Sequence, residues 1–141
     1  MKKFIIPFLA LVALAQPAGA AESDYTLIVQ TQSKSATYYL KKGVVNFKGE
    51  TGVIVKQLVN YGQRQETGEI SSLFDVELDC RKGNRRFKEL TMETFKHSFA
   101  RKRLTTHDLV KLEIASWKKP IPTSIDDVFL NVLCDHFVGV E

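Results

Sequence analysis

The tightest restriction on the fold comes from Leu73-Phe74-Asp75-Val76-Glu77-Leu78-Asp79-Cys80, with its return, Arg85-Arg86-Phe87-Lys88-Glu89-Leu90. Phe74, Val76, Leu78 and Cys80 alternate strictly with Asp75, Glu77 and Asp79. A period of two is the signature of a strand with one dry face and one wet face. Arg81-Lys82-Gly83-Asn84 between the halves is turn chemistry, because Gly and Asn tolerate a positive φ. A four-residue loop sets Asp79 beside Arg86 and Glu77 beside Lys88 on the wet face, and Leu78 beside Phe87 on the dry one. Opposite-charge pairs across strands each contribute roughly 0.2–1 kcal/mol, so the charges themselves predict antiparallel pairing.

The beginning of the chain predicts export. Lys2 and Lys3 precede a run from Phe4 to Ala15 that is apolar apart from Pro7, and Ala18-Gly19-Ala20 supplies the small residues a signal peptidase requires. Residues 1–20 therefore read as a signal peptide cleaved near Ala20. The apolar run is too short for a transmembrane span. No cysteine stands at the cleavage point, so lipoprotein processing is not expected. Residues 21–141 suit one domain and are too few for two well-formed cores. The expected place of this domain is the periplasm or the outer-membrane surface.

Export decides how the cysteines are read. Two cysteines in a secreted chain usually pair, and Cys80 and Cys134 are the only two. Their spacing matches neither a redox Cys-x-x-Cys nor a zinc site. A bond between them closes a loop of about 55 residues and stabilises the fold by roughly 4 kcal/mol on the chain-entropy account. It would staple the end of the chain onto the sheet.

Short strands fill most of the remainder. Tyr25 to Val29 and Ala36 to Leu40 are rich in β-branched and aromatic residues, and Lys41-Lys42-Gly43 breaks the second. Val44 to Phe47 then leads through Lys48 to Gly52, a turn of hairpin length, into Val53 to Tyr61, the longest apolar strand and the expected centre. Gly62 to Gly68 is a polar loop. Phe95 to Asp108 reads either as a long basic loop or as the start of another strand. Leu109 to Ala115 alternates loosely, which predicts an edge strand, with a short helix as the alternative. Pro120 and Pro122 hold Ser116 to Pro122 extended.

One helix comes after the prolines. Thr123 or Ser124 can cap it, and Asp126 and Asp127 in the first turn suit the helix dipole. Ile125, Val128, Phe129, Val132 and Leu133 form one apolar stripe, whose available partner is the face carrying Phe74, Val76 and Leu78. Cys134 falls off the centre of that stripe, so the last turn is expected to loosen or the bond to lie at the helix end.

Tyr38-Tyr39, Val53 to Tyr61, the Ser71 to Cys80 strand with Arg86, and the tail Trp117-x-x-Pro120-x-Pro122-x-Ser124 leading to Cys134 together resemble the surface-adhesin E family. The resemblance covers most of residues 25–134. It implies an α+β fold: a single antiparallel β-sheet of about six strands, with a C-terminal α-helix packed on one face and tied by the disulfide. It also implies a bacterial envelope protein that binds host extracellular-matrix or plasma proteins. The missing lipoprotein cysteine is a departure from that family's adhesin.

Chemistry is sparse. His97, His107 and His136 share no ligand spacing, so no metal or other cofactor is expected. The acidic row Asp75, Glu77 and Asp79 is neutralised more simply by its basic neighbours than used for catalysis, and Ser71-Ser72 lacks a nucleophile elbow. No catalytic residue is assigned and no enzyme is expected. Charge is more informative: residues 81–119 hold 12 Lys or Arg against 4 Asp or Glu, a net of +8. Lys96, His97, Phe99, Arg101, Lys102 and Arg103 form a candidate binding patch for an acidic protein, an anionic polysaccharide or lipopolysaccharide. Export argues against nucleic acid. Trp117 joins the patch as an interface anchor, the blander expectation being that it plugs the gap between sheet and helix. The alternative to an adhesin-like binding protein is a periplasmic structural or stress-related protein that contacts another envelope protein. A homodimer through sheet edges is compatible with either.

Overall fold

A computed structural model describes residues 22–139; the signal-peptide reading of residues 1–20 lies outside them. Six antiparallel strands lie in sequence order: β1 (Tyr25–Gln30), β2 (Ala36–Lys48), β3 (Gly52–Tyr61), β4 (Ser71–Asp79), β5 (Arg86–His97) and β6 (Arg101–Asp108). Helix α1 (Ile125–Phe137) closes the described chain. The β4–β5 register is the one that the charges predict, with Asp79 opposite Arg86, Glu77 opposite Lys88 and Leu78 opposite Phe87. β3 is central in the chain of pairs, and Val53, Val55, Leu58 and Val59 along it are buried.

Two expectations about strands are corrected. Lys41-Lys42-Gly43 does not break β2. The register shifts between Leu40 and Val45 while the strand runs on, and Gly43 takes the left-handed backbone that such a bulge needs (φ 74°). The edge strand is β6 and not Leu109 to Ala115, whose backbone coils through local bonds from Leu112 N–H to the Asp108 carbonyl and from Ile114 N–H to that of Leu109. As an open edge, β6 is almost wholly exposed, so its sequence carries no dry-face alternation.

Helix α1 lies on the face of Val53, Val55, Val76, Leu78 and Cys80 and completes that core with Phe129, Leu130, Leu133 and Cys134. The expected stripe is rotated. Leu130 and Cys134 are buried, whereas Val128 and Val132 are about two-fifths exposed (37% and 42%). Cys134, fully buried, bonds Cys80 in the last full turn of an intact helix, so no loosening is needed. Ser124 is the cap, its hydroxyl accepting from Asp127 N–H at 3.2 Å. Near the same end, the Tyr38 hydroxyl donates to Asp126 Oδ1 at 2.8 Å. Burial, then the Asp126 carboxylate, push the Tyr38 phenol well above its ordinary pKa. At the other end, Arg85 from the β4–β5 turn reaches Asn131 and Asp135. The helix is thus fixed at both termini as well as by its covalent bond.

Candidate functional site

The basic hairpin between β5 and β6 is built by packing rather than by turn propensity. Phe99 and Ala100 both adopt left-handed backbone (φ 58° and 55°), a conformation that normally selects Gly or Asn because Cβ crowds the carbonyl. Tertiary contacts hold them there. Phe99 N–H donates to Asn60 Oδ1 at 3.0 Å and Ala100 N–H to Ser71 Oγ at 3.2 Å, while the Ser71 hydroxyl donates to the His97 carbonyl at 2.6 Å. The Phe99 ring lies 5.1 Å from that of Tyr39 and 6.0 Å from that of Tyr25. These side chains belong to a second cluster with buried Leu58, Leu73 and Phe95. Phe99 is therefore an anchor of the turn, not part of a solvent-facing surface.

Outside that anchor, Lys96, His97, Arg101 and Lys102 are exposed. Lys102 also has a positive φ, 67°. Among the described residues no ion pair or hydrogen bond engages the side chains of Lys96 or Lys102. Arg101 donates to the Ser98 carbonyl, which shapes the turn and leaves its charge uncompensated. Arg103 is paired with Glu93 at 2.8 Å and remains mostly exposed. The structure adds one cation that sequence reading missed: Arg64, from the loop after β3, donates to the Gly68 carbonyl at 2.8 Å and to that of Lys96 at 3.4 Å.

Trp117 is not with this group. It lies at the far end of β5, its ring centroid 4.6 Å from the Arg86 guanidinium and 4.7 Å from Lys88 Nζ. Arg86 and His97 bound β5, and at about 3.3 Å per residue its ends lie roughly 35 Å apart. Nor does Trp117 plug the gap between sheet and helix, since Arg86 and Lys88 occupy the opposite face with Asp79 and Glu77. The candidate patch is therefore two separate surfaces.

The acidic row is neutralised from both sides. Lys56 on β3 reaches Asp75 at 2.6 Å, Lys88 lies 3.8 Å from Glu77, and Arg81 and Arg86 reach Asp79 at 2.8 and 3.0 Å. Hydrogen bonds from Arg81 and then Arg86 hold Asp79 below the usual carboxylate range, against the opposing effect of burial. Among the described residues no three His, Cys, Asp or Glu side chains group as metal ligands would, and no helix is long and apolar enough to cross a membrane.

The profile of one protein family, surface-adhesin protein E, matches residues 25–135, from the first residue of β1 to within the last turn of α1. Neither a curated protein nor a solved structure matches.

Proposed function

The chain belongs to the surface-adhesin protein E family, and from that premise we propose that it is an exported, non-enzymatic binding protein whose β5–β6 hairpin holds an anionic partner. That partner is a host matrix or plasma protein with an acidic surface, or an anionic envelope polysaccharide or lipopolysaccharide. The observation that carries the reading is a rigid turn of left-handed, non-glycine backbone that displays Lys96, Arg101 and Lys102 with no acidic neighbour engaging them. Backbone strain of this kind costs on the order of 1–3 kcal/mol per residue and is retained where the surroundings enforce it. Unpaired cations held in place steer and bind anions at a smaller entropic cost than mobile ones. The disulfide agrees with an oxidising compartment.

Replacing Arg64, Lys96, Arg101 and Lys102 with serine tests this in solution. Binding to immobilised heparin and to lipopolysaccharide should fall at least tenfold, while the melting temperature stays within a few degrees, as expected for exposed positions. Binding should also weaken steeply with added salt. Unchanged binding at low salt would remove the hairpin from consideration. Protease treatment of intact cells tests display, since a surface protein is cleaved. Protection would favour the periplasmic reading, a contact with another envelope protein.

A further inference from the structure

We propose that the groove beside Trp117, on the face of the sheet opposite α1, is a second binding site, one that takes a carboxylated saccharide. The groove is open to solvent, offers about 320 Å³ and is lined by Lys48, Glu77, Asp79, Arg81, Arg86 and Trp117, among others. That volume is within the usual range for small-ligand sites, roughly 300–1,000 Å³.

Its aromatic wall is preorganised. Lys118 pairs with Phe87 through two backbone hydrogen bonds of 2.8 and 3.0 Å, which fixes the strap carrying Trp117 along the edge of β5. Arg86 and Lys88, two residues apart on β5, then hold the indole by cation–π contact, and the ring is only half-buried. A flat, partly open indole beside hydrogen-bonding side chains suits the C–H face of a pyranose.

The charges select the class of sugar. Glu77, whose nearest cation is 3.8 Å away, is the freer acceptor for a sugar hydroxyl, since Asp79 already accepts from Arg81 and Arg86. Lys48 is exposed, and Arg81, whose Nε and Nη2 are bound to Asp79, is 51% exposed and keeps Nη1 for a second carboxylate. A neutral sugar would leave Lys48, which no ion pair engages among the described residues, without an anion. A densely sulfated chain would meet the two carboxylates. One carboxylate per few hydroxyls matches the mixed lining. Such chemistry has two sources: uronate in a host glycosaminoglycan, and the lactyl carboxylate of muramic acid in the cell wall. The site shares no residue with the hairpin, so it stands or falls independently of the function proposed above.

Trp117 is the sole tryptophan of the chain, so its emission reports on this groove alone. Titrating the mature protein with hyaluronan tetrasaccharide and, separately, with N-acetylmuramic acid should give a saturable change for at least one, and the responding probe identifies the source. Chitotetraose, which carries no carboxylate, should bind at least tenfold more weakly. The double substitution Lys48→Ala with Arg81→Ala should weaken the response at least tenfold with the fold intact by circular dichroism. Lys96→Ser with Lys102→Ser on the hairpin should leave it unchanged. Silence with both carboxylated probes overturns the proposal, as does equal binding of chitotetraose or a response insensitive to Lys48 and Arg81.

Discussion

The two faces of the sheet are closed by different means. One is covered by a thirteen-residue helix that contributes Phe129, Leu130, Leu133 and Cys134 and is bonded to Cys80. At one end of the other, a three-residue turn presses Phe99 onto Tyr25 and Tyr39 beside buried Leu58, Leu73 and Phe95. A helix recruits its core through periodic side chains. The turn recruits its contacts through two backbone N–H groups and one ring, and so it adopts backbone that its residues do not prefer. The helix thus takes its period from local sequence and its seat from distant partners, Cys80, Tyr38 and Arg85, while at the exposed basic end even the backbone conformation is set from a distance.

The largest effect expected from disrupting this arrangement is on the helical side. Cys80→Ser with Cys134→Ser should cost about 4 kcal/mol for a bond spanning 54 residues, read by urea unfolding. In that variant α1 should lose hydrogen-exchange protection before the β5–β6 turn does. Next comes Phe99→Ala. A fully buried Phe costs about 3–5 kcal/mol on truncation, and for this half-buried ring about 2 kcal/mol is expected, together with weaker binding at the hairpin although no charge has been removed. Equal losses in the two experiments would erase the contrast.

The smallest effect concerns Asp79. Its pKa is lowered in the folded state, so the unfolded chain binds the proton more readily. The stability that Asp79 contributes is thus complete above the ordinary value of 3.8 and is lost as pH falls from there through the lower folded value. Asp79→Asn should flatten the acid limb of a stability–pH profile. An unchanged limb would mean that Arg81 and Arg86 do not act on this carboxylate in solution.

What could be read from the letters divides along the same line. The β4–β5 pairing next to the turn was legible to the residue, because alternation and charge both specified it, whereas the register shift between Asp75 and Val76 had no sequence signal. The helix was legible at its start to within one residue, Thr123 or Ser124, and the structure selects Ser124. Its buried face was not, because aliphatic content favoured Val128 and Val132 whereas the tether at Cys134 and the large Leu130 turn the other face inward. β6 was hidden because Phe99-Ala100 carries no turn signal and an open edge needs no apolar alternation, so the aliphatic run Leu109 to Ile114 looked more like a strand. Arg64 lies 32 residues from Lys96 in the chain, and no local pattern announces their contact. Trp117 could be located only once Lys118 was found paired with Phe87.

The claim on which the basic surface depends is that the turn beneath it is docked and not free. Hydrogen exchange at the backbone amides of Phe99 and Ala100 tests this directly. Donation to Asn60 and Ser71 predicts that both exchange orders of magnitude more slowly than exposed loop amides. Exchange at the rate of an unstructured peptide would contradict it.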